Sequence, residues 1–232
     1  PTQSCNLRCR MCHVSFMPQE PRPALDPGLI DQLEGLHGTY FFIGSNFEPM
    51  MNRGFAQMIR KLTAMGGAME IITNGTLLDE ENVAALVDAD LRQVIFSFDG
   101  MSESTYEYIR RGAKYRRTLD AIVDFRRRFE KRETRFSVNY TVMRRNLPEL
   151  VDAVAFWDRA GFDMLGLITM VIRENDPELI QESLYPVRDE YHRALDAAAL
   201  DVIENKRAIM LTNPWYRQTP LISRFPKNFA GN

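Results

Sequence analysis

Five short apolar runs alternate along the chain with longer stretches in which apolar positions recur every three or four residues. The runs are Thr39 to Ile43, Ala68 to Thr73, Leu91 to Phe98, Phe136 to Met143 and Met164 to Val171. Measured at Ile43, Ile72, Phe96, Tyr140 and Ile168, they stand 29, 24, 44 and 28 residues apart. That spacing suits strand–helix–strand units and excludes hairpins. Between the runs, Phe55, Met58, Ile59 and Leu62 form one helical stripe, and Leu119, Ile122, Val123 and Phe129 another. Asp79 is placed to cap a helix striped by Val83, Leu86 and Val87. Asn146 is expected to cap a further one, with Pro148 in its first turn and Glu149 at the capping-box position. Its stripe is Leu150, Val151, Val154 and Trp157, and Gly161 stops it. Each helix buries one face on the sheet, so the strands are expected to be apolar on both sides. This is a βα repeat, an open parallel sheet or a partial barrel. After Val171 the pattern weakens to a helix over Arg188 to Asn205 and a short apolar run, Ala208 to Leu211. The tail from Asn213, with Pro214, Pro220 and Pro226, reads as extended or looped.

A chain of 232 residues is long enough for one well-buried core. Its 45% hydrophobic and 26% charged residues are ordinary for a globular protein and exclude a collagen-like or largely disordered one. Lys plus Arg total 29 against 31 for Asp plus Glu, so nothing in the balance calls for nucleic acid. No apolar run approaches a membrane span, and no signal peptide is expected ahead of the first motif. A cytoplasmic protein without membrane attachment is expected. The chain opens on Pro1 rather than Met, and is expected to be a piece of a longer polypeptide. Charge matters locally: residues 110–135 carry +7, leaving −9 for the rest. A solvated helix face accounts for such a run, and docking of an acidic partner or a phosphate-bearing substrate is the other use.

The cysteines carry the chemistry. All three, Cys5, Cys9 and Cys12, fall inside eight consecutive residues as CxxxCxxC. An odd number so closely spaced is a poor disulfide framework, and points instead to a metal or cluster site in a reducing compartment. Three thiolates on one loop can hold three irons of a [4Fe-4S] cube and leave the fourth open, whereas a ferredoxin supplies a fourth cysteine. Zinc held by the three thiolates and His13 is the competing arrangement, although His13 adjoins Cys12 and would strain a tetrahedral site.

Three further motifs lie at the ends of successive strands. Ile43-Gly44-Ser45-Asn46-Phe47-Glu48-Pro49 offers a glycine that lets backbone approach closely and a carboxylate suited to an ammonium. Thr73-Asn74-Gly75 and Ser97-Phe98-Asp99-Gly100 follow. These are positions on the C-terminal edge of a parallel sheet, where βα folds build their sites. Ser97 and Asp99 have the hydrogen-bonding groups to hold ribose hydroxyls or a carboxylate.

In these motifs the chain resembles the radical S-adenosylmethionine (SAM) enzymes, with features of the SPASM/twitch-like branch, from Cys5 to Val171. The resemblance implies an α/β fold, a partial (β/α)6 TIM-like barrel whose first strand is missing or lies upstream of Pro1. It implies a core over residues 1–185, followed over 186–232 by a C-terminal helix and extended tail, with Asn213-Pro214-Trp215 where a truncated extension would begin. It implies that Cys5, Cys9 and Cys12 hold a [4Fe-4S] cluster whose open iron chelates SAM. Reductive cleavage then yields a 5'-deoxyadenosyl radical that abstracts hydrogen from a peptide, sugar or other small metabolite. The resemblance further assigns SAM contacts to Gly44, Ser45, Glu48, Thr73, Asn74, Ser97, Asp99, Asn139 and Met170, with Tyr140 beside Asn139. One of Arg110, Arg111, Arg116 and Arg117 is expected to meet the SAM carboxylate, and a flavodoxin- or ferredoxin-type donor is the expected partner. Met11 departs from the aromatic residue usual before the third cysteine, and Ser45 and Asn46 from the glycines of the GGEP-type motif. A zinc-bearing, non-catalytic binding or scaffold domain is the alternative.

Overall fold

In the structure, a computed structural model that describes residues 2–17, 23–33, 35–44, 46–129, 133–170 and 177–212, strands form where the apolar runs fall. They are β1 (Tyr40–Ile43), β2 (Ala68–Thr73), β3 (Asp90–Ser97), β4 (Arg135–Val142), β5 (Met164–Thr169) and β6 (Met210–Thr212). Helices α1 (Phe55–Ala64), α2 (Glu80–Val87), α3 (Glu103–Ile109), α4 (Tyr115–Arg127), α5 (Leu150–Arg159), α6 (Pro177–Gln181) and α7 (Arg188–Glu204) lie between them. In sheet order the strands follow the chain, β1-β2-β3-β4-β5-β6. This is the expected parallel core of six strands alternating with helices, a partial (β/α)6 arrangement. Ser45, the Val171 end of the fifth run and the tail from Asn213 lie outside the described residues. Among the described residues no helix is long and apolar enough to cross a membrane.

The residues divide into two units, Pro1–Ser97 with Glu107–Phe136, and Phe98–Tyr106 with Ser137–Asn232. In the first, β1 pairs parallel with β2, and β2 with β3. Helix α1 buries Phe55, Met58, Ile59 and Leu62, the stripe read from its sequence, and packs on α2. Asp79 caps α2 as expected, accepting the Asn82 N–H at 2.9 Å. Helix α4 buries Ile122 and Phe125, and Phe125 meets Phe96, Phe129 and Phe136 in edge-on or tilted ring contacts. One expectation fails here. Met69 and Ile71 on one face of β2 are buried, but Tyr40 and Phe42 on β1 are 52% and 54% exposed. Phe42 stands opposite Glu70 in the register, and the Tyr40 hydroxyl donates to Glu70 at 2.8 Å. Helices therefore cover only one face of this edge of the sheet, and the other is open.

In the second unit β4 pairs parallel with β5, and β5 with β6. Helix α5 packs on α7, and the fully buried Trp157 meets Phe98, Phe156 and Phe162 edge to face. Gly161 ends α5 at φ +79°, as the sequence implies. Asn146 does not cap this helix: a short 3-10 turn, Leu147–Glu149, precedes it, and the Asn146 side chain turns away. Its amide accepts the Met143 N–H at 2.8 Å and donates to the carbonyls of Thr141 (2.8 Å) and Asp99 (3.0 Å). Glu149 likewise leaves the capping-box role, accepting from Met101 N–H and the Ser102 hydroxyl, both at 2.6 Å. Both side chains instead reach a segment 47–48 residues away, Asp99 to Ser102, which local spacing does not reveal.

Candidate functional site

The cysteine loop takes its shape from a segment about a hundred residues further on. Arg8 N–H donates to the Arg111 carbonyl and Arg10 N–H to the Ile109 carbonyl, each at 2.9 Å. Leu7 is buried, and Gly112 lies against it at φ +98°, a conformation that favours glycine. Inside the loop the Arg8 guanidinium gathers the carbonyls of Cys5 and Leu7, and the Ser15 hydroxyl holds that of Cys9. These bonds satisfy the backbone of a turn that no helix or strand supports.

The thiols so presented differ in surroundings. Cys9 is buried, while Cys5 and Cys12 are half-buried. N–H groups point at sulfur: Leu7 N at 3.5 Å and Asn74 Nδ2 at 3.9 Å from Cys5 Sγ, and Arg110 Nη1 at 3.9 Å from Cys9 Sγ. Burial pushes the Cys5 thiol up from its ordinary value, and the Leu7 N–H opposes it. Among the described residues no group of three His, Cys, Asp or Glu side chains converges closely enough to hold one metal ion. An iron–sulfur cube binds each thiolate to a different iron and asks for wider spacing, with N–H donors that temper the sulfur charge. The donor set on this loop fits such a cube.

Glu48 joins this loop to the strand ends. Its N–H donates to the Ser4 carbonyl at 3.1 Å. Its carboxylate, only 2% exposed, accepts the Thr73 hydroxyl (2.8 Å), the Asn74 N–H (2.7 Å) and the Met50 N–H (3.3 Å). Glu48 thus caps the 3-10 turn Pro49–Met51 and at the same time fastens it to the end of β2. Burial pushes the carboxyl up to about 7, against the pull of those hydrogen bonds and of the Arg110 charge. Gly44 has φ +98°, and a Cβ there would stand 2.4 Å from the Ile72 carbonyl oxygen. The close approach its glycine permits is to β2 itself.

Asn74 completes the join. Its side-chain amide donates to Asn6 Oδ1 at 3.0 Å as well as to Cys5, and its oxygen accepts from Thr76 N–H at 2.9 Å. Asn6 reaches Thr76 in turn, at 2.8 Å. The four candidate arginines separate sharply. Arg110 is 6% exposed and packs against the cysteine loop; Arg111 is exposed with Nε on the Arg8 carbonyl (3.1 Å); Arg116 and Arg117 are exposed in the first turn of α4. Ser97 ends β3, half-buried. In the second unit, Asp99 is buried with Oδ1 accepting the Thr141 N–H at 2.6 Å, Asn139 is half-buried on β4, and Met170 is buried just past β5. Tyr140 donates to the Asn146 carbonyl at 3.1 Å within the core. Two features escape sequence reasoning. The Arg10 guanidinium lies 3.8 Å over the Tyr108 ring and donates to the Tyr108 carbonyl, and Asn6 takes part in the Asn74 network. Nothing local marks either residue for these distant partners.

Residues 1–157 match the family model described as the Radical SAM superfamily. Among curated proteins, an AdoMet-dependent heme synthase of Oleidesulfovibrio alaskensis is 28% identical over 167 residues, 69% of this chain and 41% of its own. A GTP 3',8-cyclase of Peptoclostridium acidaminophilum is 32% identical over 132 residues, 52% of this chain and 39% of its own. The chain thus spans about two fifths of the length of these relatives. Among solved structures, Streptococcus suis SuiB bound to S-adenosylmethionine superposes with a TM-score of 0.72 at 12% identity, over 95% of this chain and 51% of that one. Native anSMEcpe with bound AdoMet gives 0.70 at 15% identity, over 93% and 62%. These likenesses establish the shared fold.

Proposed function

Because the chain belongs to the radical SAM superfamily, we propose that Cys5, Cys9 and Cys12 hold a [4Fe-4S] cluster and that SAM binds beside it. The observation that carries this reading is the single pinned loop with N–H donors aimed at its sulfurs. With SAM bound, such a cluster supplies the electron for reductive cleavage to a hydrogen-abstracting 5'-deoxyadenosyl radical. The chain's own residues bind and orient. Glu48, buried and already carrying three donors, offers its carboxylate to the SAM ammonium, whose charge would hold it ionised. Thr73 and Asn74 keep that carboxylate in place through their own bonds to it. Ser97, half-buried at its strand end, has a hydroxyl for the nucleoside or the methionyl carboxylate. Asp99 keeps one oxygen on β4, so its part is to fix the end of that strand.

For the substrate we favour a peptide. SuiB is known bound to its precursor peptide SuiA, and anSMEcpe with bound peptides, in the same fold. A small-molecule substrate is the second reading, favoured by the heme synthase and GTP cyclase relatives. A SPASM/twitch-like branch assignment rests on the Thr73-Asn74-Gly75 and Ser97-Phe98-Asp99-Gly100 motifs. The basic segment 110–135 suits an acidic, flavodoxin- or ferredoxin-type electron donor, and free thiols suit the cytoplasm. Anaerobic reconstitution followed by mass spectrometry for 5'-deoxyadenosine tests the reading. Release under dithionite that Cys9→Ala abolishes supports it; iron-loaded protein that never cleaves SAM overturns it.

A further inference from the structure

Among the described residues, Arg110 differs from Arg8, Arg10 and Arg111 beside the cysteine loop in being enclosed. Its side chain is 6% exposed, and its Nη1 donates to Cys9 Sγ at 3.9 Å. The two backbone rungs that hold the loop fall on either side of it, Arg10 N–H on the Ile109 carbonyl and Arg8 N–H on the Arg111 carbonyl. The guanidinium therefore rides on the same frame as the sulfur it touches. Its charge also acts on Cys5 and on Glu48, so it sits among the groups of the site rather than beside them. The donors to Cys5 from Leu7 and Asn74 are neutral, and the one that Arg110 brings to Cys9 is a cation. A fixed cation, poorly screened because it is buried, stabilises whichever cluster state carries more negative charge.

We infer that Arg110 is a positioning residue that sets the electron affinity of the cluster, by holding a guanidinium against the Cys9 sulfur. The inference rests on the reading that Cys5, Cys9 and Cys12 hold a [4Fe-4S] centre. In the reduction concerned, the centre takes up one electron and no proton, and dithionite supplies the electron in the measurement. Arg110 favours the electron-rich form and so raises the midpoint potential. This use differs from a contact with the SAM carboxylate, because it operates before SAM arrives.

The test is a potentiometric titration followed by EPR on anaerobically reconstituted protein, without SAM, with iron and sulfide measured in parallel. Arg110→Gln is expected to retain the cluster and to lower the reduced-to-oxidised ratio at fixed potential about tenfold, roughly 59 mV for one electron. Arg110→Lys, which keeps the charge and loses the planar fork, recovers part of that shift. Arg127→Gln, an exposed cation on α4 paired with Asp124, leaves the potential unchanged. If Arg110→Gln loses its iron, the Lys variant decides: a potential lower than wild type, with Arg127→Gln unmoved, supports the role, and a wild-type potential overturns it. A wild-type potential in Arg110 variants at full cluster content overturns the inference, as does an equal shift in Arg127→Gln. Weakened SAM binding with the potential unmoved assigns Arg110 to SAM and likewise overturns it. Failure of wild-type protein to take up iron and sulfide strikes the cluster reading itself, and is distinguished by that assay.

Discussion

The backbone N–H of Asn74 donates to Glu48 at 2.7 Å while its side-chain amide reaches Cys5 Sγ at 3.9 Å. One residue at the end of β2 thus holds both the buried carboxylate and a thiol. Neither contact is local in sequence, and both depend on Asn74 closing the strand in a tight turn. The site is built by the join between segments more than by any motif alone.

Reconstituted protein is expected to contain about four irons and four sulfides per chain, and its EPR signal is expected to change on adding SAM. Cys9→Ala removes the one buried thiol and should abolish reductive SAM cleavage. Iron analysis showing a single zinc and no sulfide would refute the cluster.

Glu48→Ala should weaken SAM binding about 10- to 150-fold, the loss of a charge-assisted hydrogen bond of roughly 1.5–3 kcal/mol. Because Glu48 also caps Pro49–Met51 and bonds Thr73 and Asn74, the same change should lower the melting temperature. Glu48→Gln keeps much of the geometry without the charge and should fall between. SAM titration at verified iron content checks this, and unchanged affinity would leave Glu48 a purely structural cap.

Glu48 also makes stability depend on pH in an unusual direction. Folding raises its pKa from 4.5 to about 7, so between those values the folded protein holds a proton that the unfolded chain has released. Its contribution is greatest below pH 4.5, falls as pH rises toward 7, and is flat above that. The full change is about 3 kcal/mol. Urea denaturation of cluster-free protein at pH 5 and pH 8 should therefore show a larger decline for wild type than for Glu48→Gln. Equal declines would contradict the burial of an ionisable carboxyl.

Gly44→Ala should be destabilising by about 1–3 kcal/mol from backbone strain alone, since the added Cβ would also meet the Ile72 carbonyl oxygen at 2.4 Å. Thermal melting of the variant checks it. A melting temperature equal to wild type would show that the turn after β1 accommodates a side chain.

Asn146→Ala removes a fully buried amide that serves Met143, Thr141 and Asp99. Leaving those groups unpaired should cost about 3 kcal/mol. If Asn146 merely capped a helix, the loss would be nearer 1 kcal/mol, so chemical denaturation separates the two roles.

The strands and most helices were legible because burial writes itself into spacing: Phe55, Met58, Ile59 and Leu62 recur at the period of the helix they form. The thiols and Glu48 were legible because their side chains announce a chemistry. What spacing could not show is partnership at a distance. Asn146 and Glu149 looked like a helix cap and its box, and instead bond to other loops. Four arginines were equivalent in sequence, and only enclosure singles out Arg110. Tyr40 and Phe42 read as core, yet lie open because no helix covers that face of β1.

The long reach of the cysteine loop has a consequence for synthesis. The guanidinium on Cys9 comes from 101 residues further along the chain, and the Arg111 clasp on Arg8 from 103. At about 5–20 residues per second, the ribosome makes the thiols roughly 5–20 seconds before it makes their frame. Through that interval the three thiols lack the contacts from Arg110 and Arg111 that frame their loop. Thiol alkylation of stalled chains in which Ala113 is still enclosed by the ribosome or has fully emerged should show protection of Cys9 only in the latter; equal protection would mean that the loop shapes itself. A cluster that needs this frame is then loaded only after the chain has passed Arg111.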